Sequence, residues 1–243
     1  LFRRRGYYAF NRDYLSYVAD SSLNRNSVDL NMLLKPYRLQ KPDGTVVDTV
    51  HRRYYIKDVS IVTDYDPLTL EEAGAMPYDT VRTGGISVLY GKNGRSIRPG
   101  VLRKSNYIMP GRLYNERTVE QTYSSFATLR ALRNVNIRFS EVEENDTMKL
   151  NCTILTSPAK LQGFGVDLDG TNSAGDFGFA SSLNYQHRNL FKGSEVFSAK
   201  VRSAYEALTG SQSEGNNFWE FGTEVSVLFP RFLFPFVHEN FRR

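Results

Sequence analysis

The residues best suited to chemistry in this chain are Asp167 and Asp169, which lie in the run Asp167-Leu168-Asp169-Gly170-Thr171 just after Gly163 to Val166. Two carboxylates at this spacing suit phosphoryl transfer, with the first as nucleophile, the second as acid/base and a magnesium ion screening both charges. Such a site also needs a parallel sheet alternating with helices, a downstream Lys and a further acidic pair. The residues after Thr171 read as strands without helices. The simpler reading places Asp167 and Asp169 on the polar face of one strand, opposite Phe164, Val166 and Leu168. His51, His187 and His238 lack metal-ligand spacing. Gly91-Lys92-Asn93-Gly94 reads as a turn, short of a full phosphate loop. The single cysteine, Cys152, has no evident base and no disulfide partner in the chain, and fits a small buried hydrophobe. No catalytic, cofactor or metal site is expected.

The elements that hold these residues carry a clearer message. From Phe177 the odd positions Phe177, Phe179, Leu183 and Tyr185 oppose Gly178, Ser182, Asn184 and Gln186. After a turn at Lys192 and Gly193, Phe197, Ala199, Val201 and Tyr205 oppose Ser198, Lys200, Arg202 and Glu206. A third stretch sets Trp219, Phe221, Val225, Val227 and Phe229 against Glu220, Gly222, Glu224 and Ser226. This is period-two alternation, in strands of about 10–13 residues, long enough to span a bilayer when tilted. Phe229, Phe232, Phe234 and Phe236 gather as an interfacial aromatic girdle would. A half-buried sheet of a soluble sandwich alternates in the same way and stays open as an alternative.

With a strand over about Leu161 to Gly170, four strands are expected, too few to close a barrel, since about eight are the minimum. The chain is therefore expected to be a piece of a longer protein, with any export signal outside it, because it opens at Leu1 without a charged-then-apolar leader. No run of apolar residues reaches the length of a membrane helix. The net charge of +5 and pI near 9.2 are spread along the chain, which argues against nucleic acid as a partner.

The first 157 residues have an α+β texture. Residues 6–37 read as a β-hairpin turning at Asp20 to Asn26, and Lys41, Pro42, Asp43 and Gly44 mark a break. A strand over Tyr55 to Val62 precedes a long polar insertion, from Asp64 to Arg98, that carries Pro67, Pro77, Gly84 and Gly85 and an apolar patch at Ile86 to Tyr90. A short segment, Arg98 to Tyr107, follows. Asn115 is the expected N-cap of a helix with apolar Val119, Tyr123, Phe126, Leu129 and Leu132. Asn134 to Ser140 and Met148 to Leu155 then pair across an acidic turn at Glu143 to Asp146. The expected order is strand, helix, helix, strand, strand.

These residues resemble a family. The stretch Arg53 to Pro158, centred on MPGRLYNERTVEQTYSSFATLRALRNVNIRF, is similar to a POTRA domain of outer-membrane assembly proteins of the BamA/TamA type, with Pro110, Gly111, Tyr114, Leu129, Leu132, Val135 and Ile137 at the motif positions. The following stretch, with its Arg188-Asn189-Leu190-Phe191 and Gly193, resembles the opening of that family's barrel. The resemblance implies three parts: the C-terminal hairpin of a preceding POTRA domain in residues 1–40, a complete POTRA domain in 53–158, and the first strands of an incomplete antiparallel transmembrane β-barrel in 159–243. The long insertion, the missing late-loop Arg motif and the missing closing strand depart from the pattern.

The implied function is non-enzymatic assembly, insertion or translocation of outer-membrane proteins. Periplasmic POTRA domains would receive unfolded clients by strand addition, and Leu161, Gly163, Phe164, Gly165, Val166 and Leu168 would line a lateral seam in the bilayer. The implied partners are unfolded outer-membrane proteins, the lipid bilayer of the bacterial outer membrane and assembly-complex subunits. The alternatives are a soluble α+β interaction module with a sandwich tail and, on the DLDGT match, a haloacid-dehalogenase-like phosphatase.

Overall fold

The computed structural model describes residues 1–20, 28–40, 44–66, 79–92, 94–173, 176–207 and 217–230. Its main body is a five-stranded mixed sheet backed by two helices. The strands are β1 (Tyr54–Val62), β2 (Asp79–Thr83), β3 (Ile86–Tyr90), β4 (Leu132–Glu144) and β5 (Thr147–Pro158), and the helices are α1 (Pro99–Ser105) and α2 (Glu116–Ala127). The sheet order is β2-β3-β1-β5-β4, with β1 parallel to both β3 and β5 and the two outer pairs antiparallel.

Local sequence explains several of these elements. In β1, Tyr54 and Ile56 are buried, and so are Val59 and Ile61, at the opposite parity. A bulge between Ile56 and Asp58 absorbs Lys57, so that both pairs face the core. The β4–β5 hairpin closes on Asn145 and Asp146, with φ of 51° and 57°, the left-handed pair that a two-residue turn matched to strand twist requires. The cap of α2 is Asn115, whose Oδ1 accepts from Arg117 N at 2.9 Å. Pro99 opens α1 at a position where its missing N–H costs nothing. Val88, Leu102, Phe126, Leu150 and Ile154 are fully buried between sheet and helices, and Cys152 lies among them at 2 % exposure.

Two expectations change here, on the insertion and on the positions of α2. The order strand, helix, helix, strand, strand omits two strands, because the insertion supplies β2 and β3, and β3 docks beside β1 in the core. Gly84 and Gly85 are the hairpin turn between them, both at positive φ. Arg98 to Tyr107 holds the helix α1. Within α2, Tyr123 is 53 % exposed, while Leu129 and Leu132 lie beyond the helix end and reach the core from the connection and from β4.

The first residues are less regular than a hairpin over 6–37. Two 3-10 turns, Phe2–Arg5 and Arg12–Tyr14, precede strands at Leu15–Asp20 and Asp29–Leu34, which pair antiparallel. A second small hairpin, Tyr37–Gln40 with Val46–Thr49, stands where a break was expected. Residues 21–27 and 41–43, which held the expected turn and most of that break, lie outside the described residues, as do Pro67, Pro77, Asn93, Phe232, Phe234, Phe236 and His238.

The last part is an antiparallel meander of β6 (Gln162–Ser173), β7 (Asp176–His187), β8 (Val196–Ala207) and β9 (Phe218–Leu228), in that spatial order. Cross-strand rows are continuous: Phe164, Tyr185, Ala199 and Val225 align, and so do Gly165, Asn184, Lys200 and Glu224. Parity reading thus placed the faces correctly, although β6 is longer than Leu161 to Gly170. The sheet is not closed among the described residues.

Candidate strand-pairing site

Two features of the described residues leave a sheet edge open. The first is the outer edge of β4, which pairs only with β5 and ends the five-stranded sheet. Its unpaired backbone N–H and C=O groups form a row that a further strand can satisfy. Beside this edge runs a groove whose α2 wall carries Val119 and Tyr123 and whose β4 wall carries Val135 and Ile137. One end of the groove is closed by Arg3, whose guanidinium lies 3.2 Å from Glu116 and donates to the Tyr114 hydroxyl at 3.2 Å.

An aromatic cluster fixes that closed end. Tyr8 packs edge-on against Tyr54 and Tyr114, and Tyr114 meets Phe139 edge-on. Tyr54 donates to Glu141 at 3.0 Å, and burial followed by the Glu141 charge pushes its phenol well above the ordinary tyrosine value. Burial likewise raises the Tyr114 phenol. The N-terminal stretch is therefore part of the groove's frame, and Gly6 is required there: its φ is +98°, and a Cβ would run into the Leu113 side chain. Nothing local in sequence pointed to Arg3, since its partner Tyr114 lies 111 residues away.

The motif positions divide between the central strand β1 and the β4 edge. Pro110 and Gly111 form a turn in which Gly111, at φ 75°, donates its N–H to Ile56 O at 2.8 Å. Tyr114 N donates to Tyr54 O at 2.8 Å, which lays this segment alongside β1. Tyr114 and Leu129 are buried, whereas Leu132, Val135 and Ile137 are partly buried and pack on the core from β4.

The second feature is the meander. Phe164, Val166, Leu168, Leu183, Val201, Phe221 and Val225 are each more than half exposed on one face. Gly163 and Gly165 sit at the free edge β6 on the opposite face. A Cβ would meet nothing within 4 Å at Gly163 and only Asn184, at ordinary contact distance, at Gly165. Leu161 precedes β6, and its carbonyl accepts from Arg188 N at 2.7 Å. Asp167 accepts from Asn184 Nδ2 at 2.6 Å and Ser182 Oγ at 3.1 Å. It lies mid-strand in an antiparallel meander, not at the end of a parallel strand. Among the described residues no three His, Cys, Asp or Glu side chains gather as metal ligands. No helix among them is long and apolar enough to cross a membrane, which says nothing about crossing by strands.

No family model matches the chain, and no curated protein matches it. Among solved structures, BamA from Haemophilus ducreyi lacking POTRA domains 1–3 aligns at 10% identity with a TM-score of 0.41, over 84% of this chain and 34% of that one. CdiB from Acinetobacter baumannii aligns at 9% identity with a TM-score of 0.40, over 79% of this chain and 26% of that one. The chain thus spans about a third and about a quarter of these proteins. At this degree of likeness, function rests on the geometry.

Proposed function

We propose that this chain belongs to a non-enzymatic outer-membrane protein assembly or secretion factor, in which a POTRA-like body receives extended polypeptide and an attached sheet meets lipid. The observation that carries the reading is the open apolar face of the meander, continuous across four strands of 11 or 12 residues each. Strands of this length cross a bilayer when tilted. An apolar patch of this extent on a soluble monomer would mark an interface or an aggregation site. The sub-sheet β1-β5-β4 with α1 and α2 supports the POTRA part of the reading, with β2 and β3 as an addition to it.

In the proposed mechanism, a client segment adds to the β4 edge, where backbone hydrogen bonds give sequence-tolerant affinity. Its alternate side chains enter the groove between Val119, Tyr123, Val135 and Ile137. The β6 edge, thinned by Gly163 and Gly165, serves as the seam at which client strands pair. This body faces the periplasm and the meander sits in the outer membrane, with unfolded outer-membrane proteins as clients and further assembly subunits as partners.

Flotation with liposomes, combined with photo-crosslinking from Asn136 on the β4 edge, tests the reading. Co-flotation of the chain, with client β-strand peptides crosslinked at Asn136 and scrambled polar peptides left behind, is expected. A chain that stays in the aqueous fraction would end the membrane assignment and leave a soluble interaction module. Magnesium-dependent phosphate release, lost in Asp167→Asn, would restore the phosphatase alternative. In the full assembly, Gly163→Val with Gly165→Val is expected to impair client insertion, because both sites have room for the side chain and only strand pairing is altered.

A further inference from the structure

The turn between β7 and β8, residues 188–195, does not end in solvent. Ser194 is fully buried, and Glu195 and Asn189 are 5 % and 6 % exposed. Lys192 and Ser194 hold left-handed backbone, with φ of 57° and 66°, a strained state for side-chain-bearing residues that persists only where the surroundings impose it. Those surroundings belong in large part to the five-stranded body.

Two segments of that body, Ser96 to Arg98 and the connection at Ala131, grip the turn. Arg98, which caps the N-terminus of α1, holds it twice: its backbone N–H donates to Lys192 O at 2.9 Å, and its guanidinium reaches Glu195 Oε1 at 3.1 Å. Asn189 Nδ2 donates to Ser96 O at 2.7 Å. Ala131, between α2 and β4, donates its N–H to Ser194 Oγ at 2.9 Å and accepts from Ala159 N at 2.9 Å. The Ala131 N–H thus reaches into the turn, while its carbonyl holds the link that follows β5.

Glu195 is the keystone of the turn itself. Its Oε2 accepts from Gly193 N at 2.9 Å and Phe191 N at 3.2 Å, while Oε1 takes the Arg98 guanidinium. A carboxylate this buried persists because charged and backbone donors surround it. Units joined by a single covalent link, here residues 159–161, move relative to one another unless an interface holds them. We propose that the β7–β8 turn is a plug that locks the five-stranded body at one angle to the meander, with Arg98 and Ala131 as its socket. The lock does not depend on the function proposed above.

Spin labels placed at the exposed Lys104 and Glu220 of the full chain, in whichever of buffer or lipid nanodiscs keeps its strand content by circular dichroism, test the lock through their distance distribution. Cys152 is buried and does not compete for label. The native chain is expected to give one narrow peak. Gly193→Ala is expected to broaden it, because the added Cβ falls on Glu195 Oε1 and Arg98 Nη2 and parts the pair without altering either residue. Arg98→Ala with Ser194→Ala is expected to broaden it further, with strand content by circular dichroism unchanged. Should the turn itself misfold in those variants, Arg98→Ala alone decides, since that side chain is 58 % exposed and outside the turn. A native distribution already as broad as the variants', or a narrow peak that survives these substitutions, would overturn the proposal.

Discussion

Two sheets in this molecule are written with overlapping patterns and come to opposite ends. In the five-stranded body, Ile61 and Ile154 alternate inward and are wholly buried beneath α1 and α2. In the meander, Phe221 and Phe164 alternate just as regularly and are 74 % and 80 % exposed. Alternation decides which side of a strand is apolar, and the neighbouring elements decide what covers it. Helices cover the first sheet. The second is left for a medium that tolerates it, and the polar rows of its other face are satisfied within the sheet, as Asp167 is by Ser182 and Asn184.

The contrast can be broken most forcefully in the body. Ile154→Ala should destabilise it by about 2–5 kcal/mol, the range for truncating a fully buried aliphatic side chain. Trp219, the only tryptophan, lies in the meander. Denaturation in lipid followed by its fluorescence should therefore shift little in Ile154→Ala, while near-ultraviolet tyrosine circular dichroism shifts strongly. Coincident shifts of both signals would mean that the two sheets unfold as one.

A charge on the exposed face tests what covers it. Leu183→Arg should cost about 2–4 kcal/mol at the middle of a bilayer and abolish flotation. If water bathes that face, the same change should lie within about 0.5 kcal/mol of neutral. Weaker still is the loss of the α2 cap: Asn115→Ala should cost about 1 kcal/mol, seen in tyrosine circular dichroism and absent from Trp219 fluorescence. The smallest effect belongs to the exposed β4–β5 tip, where Lys57 and Lys149 hold the Glu144 carboxyl below its usual range. That pairing favours the folded state above the ordinary glutamate pKa and is lost as the pH falls through the depressed one. A carboxyl NMR titration should place Glu144 lower in the folded chain than in Lys57→Ala with Lys149→Ala.

The meander was legible because its parity runs unbroken over long strands, and the β4–β5 hairpin because two alternating runs flank an acidic turn. Other elements depend on partners distant in the chain. Ile86 to Tyr90 shows as apolar, yet its place beside β1 is set by a parallel pairing that no local signal announces. Lys57 leaves no mark as a bulge until Leu150 and Asn151 are seen opposite it. The small hairpin around Gly44 was legible in principle, since Lys-Pro-Asp-Gly between apolar pairs is a turn signal as well as a break. The groove's Arg3 and the turn's Ser194 and Glu195 read as solvated polar residues, because groups that engage them lie 63 to 111 positions away: Ala131 N with Ser194 is separated by 63, Arg98 with Glu195 by 97, and Arg3 from Tyr114 by 111.

The unbroken rows of the meander also act as a reading frame of two. Deleting one residue from the middle of β7 would swap Leu183 and Tyr185 with the row of Asn184 and invert the greasy and wet sides beyond the cut, while β6 and β8 kept theirs. Deleting two would only shorten the strand. Length changes in these four strands should therefore be tolerated in pairs or confined to the loops, a constraint that the bulged β1, with Lys57 already out of step, has shown it can escape.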